Sequence, residues 1–262
     1  MTGTKVVKLK LDGNAAGKLP ELRDRIDESV FSKAFQLFES TPYPNEWEYH
    51  RSLIGSVSDA GLDTDNVTLQ AVIDSLEKDH AGEKFDEEVE EMFGNVGSYH
   101  NKAGLLYTAL IQASSRNEFE ITLRKRVNFL GRLLDSKKVV VNGDVGHKLG
   151  SKMKAGEIVV NGNAGLWVGS DMAGGKIRIR GNSDSFAGSW AKAGGIIVEG
   201  DAGTGTGDGL CGGNVIVMGD AKGRTGHDAS SGVIDVKGKI NRLSKKVGPS
   251  VTILEGGKQV KK

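Results

Sequence analysis

The feature that most constrains this chain is a step of 19 residues. Gly143, Gly162, Gly181, Gly200, Gly219 and Gly238 keep it, as do Gly150, Gly169, Gly188, Gly207 and Gly226, and a third series, Gly156, Gly175, Gly194, Gly213 and Gly232. Of the 38 glycines in 262 residues, 25 fall between positions 139 and 238. Glycine at that density means either disorder or a strictly repeated backbone geometry, and the constant step selects the second. Apolar positions march in the same phase: Val139, Ile158, Ile177, Ile196, Val215 and Ile234, and two residues on, Val141, Val160, Ile179, Val198, Val217 and Val236. Each repeat therefore reads as a short alternating strand followed by a glycine-punctuated bend.

A unit of one strand and a few turns cannot bury its apolar face alone. Stacking the units forms a continuous core and pairs each backbone with the coil above and below. The expected fold is an all-β parallel β-helix of 19-residue coils, right-handed because parallel crossovers almost always are. At about 4.8 Å per coil, five to six coils give a prism of roughly 25 to 29 Å. Inward positions stack like on like, including a third column of Met153, Met172, Ala191, Leu210 and Ala229. Beside the first glycine series runs an Asx column, Asp144, Asn163, Asn182, Asp201 and Asp220, which reads as corner chemistry rather than a metal site. Open ends need covers. Residues 119–138 look like a degenerate first coil, since Gly131 lies 19 residues before Gly150, and the basic stretch 243–262 is expected to cover the far end.

The first 118 residues follow another rule. Val7, Leu9 and Leu11 alternate with lysines as a short strand. After Pro20, Leu22, Ile26, Val30, Ala34 and Phe38 form a helical stripe that Tyr43-Pro44 breaks. Further helices are expected over 45–59, from Asp65 through Leu69, Val72, Ile73 and Leu76, around Phe85, Val89, Met92 and Phe93, and around Leu105, Leu106, Ala109 and Leu110. The chain thus divides into an acidic, mainly helical domain at 1–118, a β-helix at 119–242 and a basic tail or cap at 243–262.

Charge follows the same division. Residues 1–118 hold 12 Lys or Arg against 21 Asp or Glu, and residues 119–262 hold 23 against 13, so a net charge of +1 hides halves of −9 and +10. The terminal cations Lys237, Lys239, Arg242, Lys245, Lys246, Lys258, Lys261 and Lys262 suit an acidic partner or a solvated tail; nucleic acid is disfavoured because no aromatic residue is interleaved to stack on bases. No apolar run is long enough for a membrane span and no secretory signal opens the chain, so a cytoplasmic location is expected.

Catalytic chemistry is hard to place. The only cysteine, Cys211, leaves no disulfide and no cysteine cluster for a metal or iron-sulfur centre. Gly203-Thr204-Gly205-Thr206-Gly207 looks like a dinucleotide fingerprint but sits in repeat phase rather than between a strand and a helix. Gly205 replaces the phase of Trp167 and Phe186, which suggests a bare spot where a partner could approach. His147 and His227 are four coils apart and read as solvated surface residues, with His227 in a polar outward strip of Ser151, Ser170, Ser189 and Asp208. Cys211 reads as outward, and the acid run Asp86, Glu87, Glu88, Glu90, Glu91 as a solvated or docking face. No catalytic, cofactor-binding or metal-binding residue is assigned.

Gly143-Asp144-Val145-Gly146-His147-Lys148-Leu149-Gly150, with its counterparts at Gly162-Gly165-Gly169 and Gly200-Gly203-Gly207, resembles the G-x-x-G-x-x-x-G (GXGXG) repeat of the β-helix domain shared by the glutamate synthase large subunit and the C subunit of formylmethanofuran dehydrogenase. Two repeats replace the middle glycine, with Asp184 and Lys222. The stretch from Met172 through Gly174 and Gly175 to Gly181 is more similar to the second family. The resemblance implies a structural element whose chemistry belongs to neighbouring subunits carrying pterin-bound metal, flavin or iron-sulfur centres. On it the leading expectation is a non-catalytic scaffold subunit of an oxidoreductase complex, partnered by other protein subunits. A freestanding interaction scaffold whose helical domain recruits a partner, a glutamate synthase-like component and a homo-oligomer stay open.

Overall fold

The computed structural model describes residues 28–40, 46–81 and 99–261. The short strand expected at Lys5–Leu11 and the helix carrying Asp86–Glu91 lie outside the described residues. Four helices come first: α1 (Glu28–Ser40), α2 (Glu46–Asp59), α3 (Asn66–Asp79) and α4 (Tyr99–Ala113). α3 starts at Asp65, whose extended backbone and side chain, accepting the Thr68 N–H at 2.7 Å, form an N-cap. Its apolar stripe, Leu69, Val72, Ile73 and Leu76, is buried as the spacing predicts. α4 is buried on nearly every side, from Tyr99 to Ile111, because helices pack on one flank and the β-helix on the other.

The strands are β1 (Glu118–Thr122), β2 (Lys138–Asn142), β3 (Glu157–Asn161), β4 (Lys176–Ile179), β5 (Gly195–Val198), β6 (Ala202–Thr204), β7 (Cys211–Val217), β8 (Ala221–Gly223), β9 (Ser231–Val236), β10 (Ser250–Glu255) and β11 (Lys258–Lys261). Eight of them stack in parallel in the order β1-β2-β3-β4-β5-β7-β9-β10, and β6 pairs with β8 in a second short ladder. The register step is 19 residues: Val139 faces Ile158, Ile177, Ile196, Val215, Ile234 and Ile253 in turn. The fold is a parallel β-helix of 19-residue coils preceded by helices.

The stack is longer than the repeat count suggests. β1 pairs with β2 at a step of 20 residues, Phe119 against Val139, so the degenerate first coil joins the ladder with one residue to spare. At the far end, residues of the expected tail form β10 in register with β9, and β11 turns back antiparallel on β10. Val251 takes the phase that Gly232 holds one coil earlier, which hid this coil from a search by glycine.

The corner after the short ladder has an unusual backbone. Phe129, Lys148, Trp167, Phe186 and Arg224 share one 19-residue column with φ between 49° and 68°, and Leu133, Lys152, Asp171, Trp190 and Asp228 share another with φ between 52° and 59°. Gly150, Gly169, Gly188, Gly207 and Gly226, also left-handed, lie midway between the two columns. Alternate left-handed residues make a tight bend. At Gly169 a Cβ would stand 2.4 Å from the Cδ1 of Ile196, so the glycine also leaves room for the core of the next coil.

The Asx column is a ladder of its own. Asp144 Oδ1 accepts the Asn163 N–H at 2.7 Å, Asn163 that of Asn182 at 2.9 Å, Asn182 that of Asp201 at 2.8 Å, Asp201 that of Asp220 at 2.8 Å and Asp220 that of Lys239 at 2.7 Å. Each side chain supplies the acceptor that the bent backbone of its own coil cannot. Arg126 and the Asn163 N–H hold the Asp144 carboxyl below its ordinary range against the opposing effect of burial.

Candidate interaction surface

The two ends of the β-helix are finished differently. At the first, α3 lies along the open edge of β1. Glu120 N–H meets Asn66 Oδ1 at 3.4 Å, Gln70 accepts from the Thr122 N–H at 2.7 Å and donates to its carbonyl at 2.9 Å, and Glu77 Oε1 accepts from the Arg124 and Lys125 N–H groups at 2.9 and 3.0 Å. The match is geometric: every second residue of a strand advances about 6.7 Å, close to the 6 Å between helical residues four apart. Burial pushes the Glu77 carboxyl up, opposed by those two N–H groups and by Arg124. α4 does the same for the first corner, where Thr108 Oγ1 accepts from the Gly131 N–H at 2.8 Å and Gln112 from the Asp135 N–H at 3.0 Å. The helical unit is thus the cap of this end, a role its sequence pattern does not announce.

Between the ends, the long ladder has two faces. The inner one is filled by the Val and Ile columns. The outer one carries, in order along the stack, Val140, Val159, Arg178, Ile197, Ile216, Asp235 and Leu254. Ile197 and Ile216 therefore touch coil to coil on the outside, with Val233 one coil further in the neighbouring column and Met218, half-exposed, just past the end of β7. Ion pairs bracket this aliphatic strip. Arg178 reaches Glu199 at 3.2 Å on one side and Lys237 reaches Asp235 at 2.6 Å on the other. A parallel sheet is ordinarily covered on both faces, and an outward aliphatic centre with a charged rim is the composition of a protein interface.

The residues singled out in the sequence are placed as follows. The repeat glycines Gly143 to Gly238 all lie on corners, spread along the stack. The Gly203–Gly207 stretch belongs to the wall, and Gly205 is not bare: it is buried under the Phe186 ring, 2.6 Å from where its Cβ would be. Phe186 stacks on Trp167 at 5.6 Å, and the Lys148 ammonium sits over both Trp167 and Phe129. His147 is a correction. It is buried, and its Nδ1 accepts the Leu166 N–H at 2.9 Å, the same device as the Asx ladder. The strip of Ser151, Ser170, Ser189 and Asp208 is buried as well, because alternation from inward Leu149 to inward Met153 places Ser151 inside. Burial raises the Asp208 carboxyl, while His227 and Arg224 oppose it. His227 is half-buried, its Nδ1 3.1 Å from Ser244 Oγ. Cys211 is exposed, as expected.

Among the described residues no three His, Cys, Asp or Glu side chains converge as metal ligands do, and no helix is long and apolar enough to cross a membrane. One solved structure is similar. It is a chain of the formyltransferase/hydrolase complex FhcABCD from Methylorubrum extorquens, in complex with methylofuran, 23% identical over 50% of this chain with a TM-score of 0.41. The match covers 59% of that chain. No family model matches, and no curated protein does.

The surface that sequence reasoning missed is the outer wall. Its signal was present: Ile197 and Ile216 stand at strand positions whose neighbours Ile196, Val198, Val215 and Val217 already fill the core, so both faces of β5 and β7 are aliphatic.

Proposed function

We propose that this chain is a non-catalytic scaffold subunit of a multi-subunit oxidoreductase assembly, and that the outer wall of the long ladder is the face on which a neighbouring subunit sits. The observation that carries the reading is the Ile197–Ile216–Met218 strip, bracketed by Arg178–Glu199 and Asp235–Lys237, on a parallel sheet whose other face is already packed. The G-x-x-G-x-x-x-G repeat supports the kind of assembly, since the families it resembles use this domain beside catalytic chains. In this reading the pterin-metal, flavin or iron-sulfur centres belong to those chains. The helical unit spends the polar faces of α3 and α4 on its own β-helix, which leaves docking to the wall.

A β-helix suits the task physically. Coils locked at a fixed spacing by backbone ladders and an Asx ladder form a wall that changes shape little on contact, so association costs little ordering entropy. Purification of the tagged full-length chain from its native host tests the proposal. The expected result is recovery of stoichiometric partner subunits that carry a redox cofactor; a bare, stable chain at every salt concentration, or substrate turnover by the bare chain, overturns it.

A further inference from the structure

The C-terminal end of the stack lacks the finish of the N-terminal one. The last coil, residues 239–249, bonds back to the coil before it through Asn241 N–H to Ala221, Ser244 N–H to Thr225 and Gly248 N–H to Ala229. β11 covers the edge of β10 alone. Over the rest of this end Ile240, Leu243 and Val247 pack on the core yet remain part-exposed. Around them stand Lys239, Arg242, Lys245, Lys246 and Lys258, all exposed and, among the described residues, without a carboxylate partner. The one nearby acid, Glu255, is spent on the Ile240 N–H at 2.8 Å.

The same molecule shows what covers such an end. At the other pole, α3 lays an apolar stripe on the core and turns Gln70, Asp74 and Glu77 toward the open coil edge and Arg124. We infer that the C-terminal end is a docking surface for an acidic amphipathic helix of a partner protein, which seats apolar residues on Ile240, Leu243 and Val247 and carboxylates against the lysine rim. Charge complementarity selects the acidic partner, and the apolar centre selects a helix over a polyanion. No aromatic residue lies between 239 and 261 to stack on bases, which disfavours RNA. This surface is separate from the outer wall and stands or falls apart from it.

The test uses the full-length chain and a fluorescein-labelled synthetic helix of about 18 residues, long enough to hold its conformation, with Leu at helical spacing and Glu elsewhere. Anisotropy titrations are expected to show binding that falls about tenfold or more when Lys245→Glu and Lys246→Glu are combined. Val247→Ser, checked for an unchanged melting temperature, is expected to weaken it several-fold, whereas Ile216→Glu on the wall leaves it intact. A peptide of the same composition with its leucines scrambled is expected to bind far more weakly. Equal binding of the scrambled peptide or of single-stranded RNA would reduce the surface to charge alone and overturn the inference. So would undiminished binding by the double variant, or self-association of the chain that the same variants abolish, which would make a second copy the occupant.

Discussion

At Gly169 two demands meet, a left-handed backbone with φ of 63° and a space already held by Ile196. An alanine there incurs about 1–2 kcal/mol for the conformation and about 1–3 for overpacking. Gly169→Ala is therefore expected to destabilise by about 2–4 kcal/mol in urea unfolding, while Gly195→Ala, with nothing within 4 Å of its Cβ and an ordinary φ, is expected to be neutral within error. Asp63 gives a second residue-scale prediction. The Ser115 hydroxyl and N–H and the Ser114 hydroxyl all donate to its carboxylate, fastening the end of α4 to the loop after α2 and holding the acid below its ordinary range. The unfolded chain takes up this proton at higher pH than the folded one, so the clamp stabilises above the ordinary carboxylate range and is lost as pH falls through the lowered folded value. Thermal melts of wild type and Asp63→Asn across pH should differ at neutrality and converge in acid; a constant difference would contradict the assignment. Residue identity was also where sequence reading erred. Ser151 and His147 look like surface residues by polarity, yet each sits in a buried corner position and its partner lies a coil away, at Arg132 or Leu166. Contacts 19 residues apart become visible only once the register is known.

At the scale of elements, one coil is an independent unit because each bonds its neighbours at the same offset. Deleting residues 163–181, one full step, is expected to leave a folded β-helix shortened by a coil, with far-ultraviolet dichroism of the same shape and a lowered melting temperature. Deleting 163–172 puts Ile and Val columns out of register and is expected to abolish cooperative unfolding. The helices tell the opposite story. Their apolar stripes, such as Leu69, Val72, Ile73 and Leu76, were legible from a period of 3.6. Their purpose was not, because Asn66, Gln70 and Glu77 on the polar face look solvent-bound until β1 is placed beside them. Gln70→Leu removes both bonds to Thr122 and is expected to cost about 1–3 kcal/mol by leaving that edge unsatisfied, read as a lower urea midpoint.

For the whole molecule, the glycine period made the architecture legible and left the surface dark. Periodicity reports what is shared by every coil, and a binding face is made of what differs between coils: Ile197 and Ile216 where other coils carry Arg178 and Asp235. The account's central claim is that this wall carries a neighbouring subunit, and site-specific photocrosslinking in the native host tests it most directly. A photoreactive residue at Ile216 is expected to give a covalent adduct with a second protein, and one at Asn182, on the exposed Asx corner, to give none. No adduct from Ile216, or equal adducts from both positions, would contradict it.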